Sequence, residues 1–283
     1  ILGLSAMITP LMISQQLVRL DVPLMVAVSL LTLLLALDGR FSRMEGLFFF
    51  VGLLGYLYLL FRIGQRESTE VKQEYEHEFG SPAKPTPRRL GRNALLAVSG
   101  LALLGVGSRW LVQGSVEIAR ALGVDELVIG LTIIAAGTSM PEVITSVIAS
   151  LRGERDIAVG NVVGSNLFNL LGVLGLTALI TPGGVAIPQD ARAFDLPVMT
   201  AVALACIPIF FSGTKILRRE GALFFGYYLA YTAYLILDAI RHPILPLFTQ
   251  IMLGVALPIT IVTLTVVLIR VIGQRRRSAS PSA

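Results

Sequence analysis

The sequence predicts an all-α polytopic membrane protein. It reads as an inverted-topology repeat of five-helix units, the first unit incomplete, plus one extra C-terminal helix. Composition, the spacing of apolar runs and an internal repeat predict this. Of 283 residues, 54% are hydrophobic and 14% charged, with a mean hydropathy of +0.77. So few charges could not cover a soluble core of that composition, which excludes soluble enzymes, disordered chains and collagen-like repeats. The one cysteine, Cys206, lies in an apolar run, and the two histidines, His77 and His242, lie in polar connections. A disulfide framework and a Cys- or His-ligated metal centre are therefore excluded, and no cofactor is expected. The formal charge of +5 comes without a basic stripe interleaved with aromatics, so the expected partner is the lipid bilayer and not nucleic acid.

Apolar runs near the ~20 residues a spanning helix needs lie at 22–37, 44–62, 93–111, 127–150, 157–180, 196–211, 221–240 and 245–272. Residues 1–9 are apolar from the outset, with no initiator methionine, basic flank or cleavage site, so the chain reads as starting inside a ninth helix. The polar stretch 63–92 carries Arg66, Lys72, Lys84, Arg88, Arg89 and Arg92, with Pro82, Pro85 and Pro87 at its end, and reads as a cytoplasmic linker. Strict alternation then also places Arg152, Arg155, Lys215, Arg218, Arg219 and Arg275 to Arg277 inside. Only scattered arginines, Arg40, Arg43, Arg120, Arg192 and Arg241, are left outside, as the positive-inside rule requires. Four parts are expected: 1–62, the tail of a first repeat; 63–92, the linker; 93–240, a second repeat; and 241–283, an extra span with a basic tail.

The repeat is visible in the letters. Residues 2–10, LGLSAMITP, recur as LGLTALITP at 174–182, and after a two-residue insertion Asp21 and Pro23 match Asp195 and Pro197. Gly39 matches Gly213, and the Arg-Glu-Gly-Leu-Phe-Phe pattern around Glu45 and Gly46 matches that around Glu220 and Gly221. Leucine-rich composition alone would not hold Pro, Asp, Gly and Glu in register. Equivalent helices are five spans apart, and an odd separation inverts them, the construction of many secondary transporters. About 80 residues of the second copy, 93–173, have no counterpart, so a similar number is expected to precede Ile1.

Glu142 is the only acid deep within an apolar span, in the segment Ala135-Ala-Gly137-Thr138-Ser139-Met-Pro141-Glu142. An unpaired carboxylate costs several kcal/mol there and marks an ion or proton pathway by default; the alternative is a protonated structural group. Thr138 and Ser139 precede it by four and three residues and share its helical face. Pro141 has no N–H for the Gly137 carbonyl, so carbonyls near Ala135 to Gly137 are expected to turn toward a ligand; the plainer reading is a kink in a packed helix. In the next span, Ser165 and Asn169 lie four apart and present a hydroxyl and an amide oxygen, which serve equally as interhelical glue. Gly160 and Gly164 form a small-residue face, read as a packing surface. A carboxylate, hydroxyls, an amide and carbonyls are hard oxygen donors that suit Ca²⁺ or Na⁺.

The segments GTSMPE at 137–142 and GNVVGSNLFN at 160–169 resemble the second α-repeat of the sodium/calcium exchangers, in the calcium:cation antiporter superfamily. The likeness runs from about Arg89 to Pro182 and is nearest the bacterial exchanger group. In that family two oppositely oriented α-repeats meet at the midplane. The resemblance implies that Glu142 is a carboxylate shared by Ca²⁺ and Na⁺. It further implies that Thr138, Ser139, the Ala135 carbonyl, Ser165 and Asn169 are further ligands. From the residues themselves, Gly137 and Pro141 are read as a hinge and Gly160 and Gly164 as packing points.

Two departures stand out. Asn169 replaces an Asp of some exchangers, which leaves the charge for coupling and any potassium co-transport open, and the first α-repeat is represented only by residues 1–10. A single carboxylate cannot neutralise Ca²⁺, so this chain is not expected to transport alone. The expected parent is a non-enzymatic Na⁺/Ca²⁺ antiporter, multi-pass in a bacterial inner membrane, with Ca²⁺ and Na⁺ as cargo. The alternative is a proton-coupled cation exchanger or a cation channel using the same carboxylate. By the resemblance, the helix at 93–111 moves, with Gly100, Gly105 and Gly107 as smooth packing points.

Overall fold

The computed structural model describes residues 1–13, 16–65, 86–124, 126–211, 215–266 and 269. Most of the linker, Gly213 and the arginines at 275–277 lie outside the described residues. The helices are α1 (Leu2–Ile8), α2 (Val22–Leu35), α3 (Arg43–Gln65), α4 (Pro87–Ala121), α5 (Glu126–Ile129), α6 (Ala135–Thr138), α7 (Met140–Leu151), α8 (Arg155–Leu167), α9 (Gly175–Ile180), α10 (Leu196–Phe211), α11 (Arg218–Ala239) and α12 (Leu245–Ile251). Wider π-helical turns precede α2 (Leu17–Asp21) and α10 (Ala191–Asp195), join α5 to α6 (Gly130–Ile134) and α8 to α9 (Phe168–Leu174), and follow α12 (Met252–Ala256).

Seven helical stretches are long and apolar enough to cross a membrane. An eighth, Thr132–Thr138 with Met140–Leu151, is bent by 55° at its break. The chain is thus a multi-pass membrane protein, and its exposed leucines, such as Leu95, Leu101 and Leu103 on α4, are suited to lipid. Helix extends into both ends of the stretch read as the linker. Helix continues to Gln65 and resumes at Pro87, because Thr86 caps the new helix by accepting from the Arg89 N–H and Pro87 occupies its first turn.

The inverted repeat is written into the packing. Four two-residue strands, β1 (Leu11–Met12), β2 (Arg40–Phe41), β3 (Val185–Ala186) and β4 (Lys215–Ile216), pair antiparallel as β1 with β4 and β2 with β3. Each copy's first strand thus pairs with the other copy's second. Helix crossings obey the same exchange. A Cβ on Gly46 would lie 2.6 Å from the Gly175 carbonyl, and one on Gly221 would lie 2.7 Å from the Gly3 carbonyl. Only glycine allows these backbones so close.

Equivalent hydrogen bonds recur too. Glu45 and Glu220 each accept from the main-chain N–H three residues earlier, at Ser42 (2.6 Å) and Leu217 (2.8 Å), and so start α3 and α11. Tyr56 donates to Asp21 at 3.0 Å, and Tyr231 to Asp195 at 2.8 Å. Asp21 is therefore a buried acid within a span, 6% exposed, a place that the sequence reading gave to Glu142 alone. The core between the copies includes Leu11, Phe41, Phe49, Phe210 and Ile216, all at most 1% exposed.

Candidate functional site

Two adjoining elements build the site. The first is the broken helix. Pro141 cannot donate to the Gly137 carbonyl, Ser139 leaves helical geometry at φ −93°, ψ 5°, and α7 restarts at Met140 with Glu142 in its first turn. A carboxylate there lies at the positive end of the half-helix. The second is α8 with the π-helical turn that follows it, packed along α7.

Between them is a pocket of about 350 Å³. Its polar lining is Thr138, Ser139, Glu142, Ser165, Asn166 and Asn169, and Ile1 and Val162 complete it. Five of the six predicted ligands, Thr138, Ser139, Glu142, Ser165 and Asn169, are thus brought together. The π-helical turn at Phe168–Leu174 carries Asn169.

Hydrogen bonding decides which oxygens remain available. Glu142 Oε2 is buried and has no hydrogen-bond partner. Among the described residues, Ser5 Oγ is the one other buried side-chain polar atom in that state. A buried acceptor left bare is costly, and groups of that kind are rare in folded proteins. Ser165 spends its hydroxyl proton on the Val162 carbonyl at 3.0 Å, leaving oxygen lone pairs free.

Ala135 is not part of the lining, and its carbonyl accepts from Thr138 Oγ1 at 3.0 Å. The Gly137 carbonyl, expected to turn toward a ligand, accepts instead from Ser108 Oγ of α4 at 2.7 Å. Carbonyls orphaned in apolar surroundings take the nearest donor. Gly137 is a point of close approach, since a Cβ there would run into Val112. The packing role expected of Gly160 and Gly164 is not seen: a Cβ at either would meet nothing within 4 Å. The same holds for Gly100, Gly105 and Gly107. Instead α4 touches the broken helix through Ser108 and Val112, with Val116 and Ala119 buried beyond them.

Three polar residues were missed in the sequence. Asn166 lies in the quoted motif beside Ser165, and Asn161 lies one turn before it, so spacing could have nominated both. Ser108 carried no signal, being 29 residues from its partner.

The sodium/calcium exchanger protein family matches residues 93–237, which takes in the whole pocket except Ile1. The putative antiporter CaxA of Alkalimonas amylolytica is 38% identical over 209 residues, 73% of this chain and 63% of that protein. The inner membrane protein YrbG of Escherichia coli (strain K12) is 34% identical over the same shares. The chain thus spans about 63% of the length of these curated relatives. A solved structure of the sodium-calcium exchanger NCX_Mj superposes with a TM-score of 0.62 at 26% identity, covering 83% of this chain and 71% of that one.

Proposed function

This chain belongs to the sodium/calcium exchanger family, and we propose on that premise that its protein is a secondary active antiporter exchanging Na⁺ for Ca²⁺. The observation that carries the reading is Glu142 Oε2, buried and without a partner in a pocket whose other polar side chains are hydroxyls and amides. A bare carboxylate with neutral oxygens around it is a donor set for a hard cation, and bound Na⁺ or Ca²⁺ would supply the missing partner. Thr138, Ser139, Ser165 and Asn169 are the neutral ligands in this reading. No bond is made or broken in the cargo. Exchange follows if the site accepts either ion set and is too charged to reorient empty, so that each ion leaves only when the other takes its place.

We assign residues 1–62 and 93–240 to the two inverted halves, 63–92 to the connection and 241–283 to an appended span. A bacterial inner membrane fits the likeness to the inner membrane protein YrbG of Escherichia coli. The test uses Na⁺-loaded vesicles diluted into Na⁺-free buffer with ⁴⁵Ca²⁺. Glu142→Gln, which keeps the shape and removes the charge, is expected to abolish the Na⁺-dependent uptake. Uptake that persists in the variant overturns the role of Glu142. Wild-type uptake that follows a pH gradient and ignores Na⁺ overturns the choice of counter-ion.

A further inference from the structure

The polar face of the pocket continues beyond its floor. Ser139, Glu142 and Ser146 recur at helical spacing across the break and along α7, and Asn161, Ser165 and Asn169 recur every fourth residue on the facing element. The upper members line the pocket. The lowest pair is bonded together. Asn161 Nδ2 donates to Ser146 Oγ at 2.9 Å and to the Glu142 main-chain carbonyl at 3.2 Å. Both amide protons are used, one for each acceptor. Ser146 is fully buried, and its carbonyl accepts from Ser150 Oγ at 2.7 Å.

Glu142 needs such a tether. It lies in the first turn of a half-helix, where main-chain N–H groups have no intrahelical partner and Pro141 contributes none. The head of α7 is therefore its least constrained turn. No side chain among the described residues hydrogen-bonds the Glu142 carboxylate, and Asn161 is the one that bonds its main chain. We propose that Asn161 is a positioning residue, tying the head of α7 to α8 so that the Glu142 carboxylate is held at the pocket. This rests on the reading of Glu142 as the cation-binding carboxylate. A cation held by oxygens at roughly 2.3–2.6 Å tolerates little displacement of its ligands, and residues that orient a ligand typically change affinity ~10–100-fold when lost.

The test is modification of Glu142 by dicyclohexylcarbodiimide, read by peptide mass spectrometry, in the protein in membrane vesicles titrated with CaCl₂. Asn161→Leu, near in size and without donors, and Asn161→Ala are each expected to raise the protecting Ca²⁺ concentration about tenfold. Ser146→Ala spares the bond to the Glu142 carbonyl and is expected to shift it less than about threefold. A residue that merely holds two helices together would lower thermal stability and leave the protecting concentration alone. If wild type is not protected by Ca²⁺, the reading of Glu142 fails and takes this inference with it. If wild type is protected and whichever Asn161 variant folds is protected at the wild-type concentration, Asn161 positions nothing and the reading of Glu142 stands.

Discussion

Ser108→Ala deletes the one side-chain donor to the Gly137 carbonyl among the described residues, a bond of 2.7 Å made 29 residues away in sequence. The usual donor four residues on is Pro141, which has no N–H. The carbonyl would be left bare at a part-buried helix break, where an unsatisfied polar group costs about 1–3 kcal/mol. Interhelical hydrogen bonds in membranes average about 0.6 and reach about 1.7 kcal/mol, because the unfolded chain finds substitute partners. Here the regular donor four residues on is missing, so the expected loss is about 1–2 kcal/mol. Pro141→Ala supplies the missing N–H. In that background Ser108→Ala should cost less than about 0.5 kcal/mol, a coupling of about 1 kcal/mol between sites on different helices. The assay is SDS unfolding of four proteins, wild type, the two single variants and the double, in mixed micelles followed by circular dichroism. An equal cost of Ser108→Ala in both backgrounds refutes the argument that the two residues answer for the same carbonyl.

Two further predictions test the pseudo-symmetry. Gly46→Ala and Gly221→Ala each drive a methyl to within 2.6–2.7 Å of a facing carbonyl, so both should destabilise by about 1–3 kcal/mol. Gly226→Ala, with nothing within 4 Å, should not, and a comparable loss at Gly226 in the same SDS titration would remove the close-approach explanation. Tyr56→Phe and Tyr231→Phe each remove one donor to an aspartate, at 3.0 and 2.8 Å. Each should cost about 0.5–2 kcal/mol. Unfolding midpoints unchanged at both positions would show that these bonds hold nothing.

How far the sequence reached depends on the range of the interaction concerned. Span count, helix type and the repeat were legible because hydrophobic length and punctuating Pro, Asp, Gly and Glu are local signals. Pocket membership of Thr138, Ser139, Glu142, Ser165 and Asn169 was legible because spacings of three and four place residues on one helical face. Ala135 and Gly137 went the other way for a non-local reason. A proline frees a carbonyl, but which donor then takes it depends on Thr138's rotamer and on a neighbouring helix, and neither is in the spacing. The strand pairings and the Asp–Tyr pairs were invisible for a related reason. Each joins residues whose individual letters are ordinary, and only their duplication in both copies singles them out.

That duplication separates two kinds of construction. The frame of α1, α2, α3, α9, α10 and α11 is closed by bonds that occur twice: the strand pairs, the glutamate caps, the Asp–Tyr pairs and the glycine crossings. The broken helix and α8 sit against that frame. By contrast, α4 meets the broken helix along a narrow stripe of Ser108, Val112, Val116 and Ala119, while Leu95, Leu101, Leu103 and Trp110 are 69–73% exposed. Burial sets the resistance to displacement, since each buried aliphatic side chain contributes about 1.5–3 kcal/mol and α4 has only Val116 and Ala119 buried. Any sliding of α4 along the site must first break the Ser108 bond to the Gly137 carbonyl and lift Val112 off Gly137. The break in the helix therefore does two jobs with one proline. It sets Glu142 at the head of a half-helix facing the pocket, and it frees a carbonyl that Ser108 of α4 takes up, so that the position of α4 and the geometry of the carboxylate are tied through four residues of backbone.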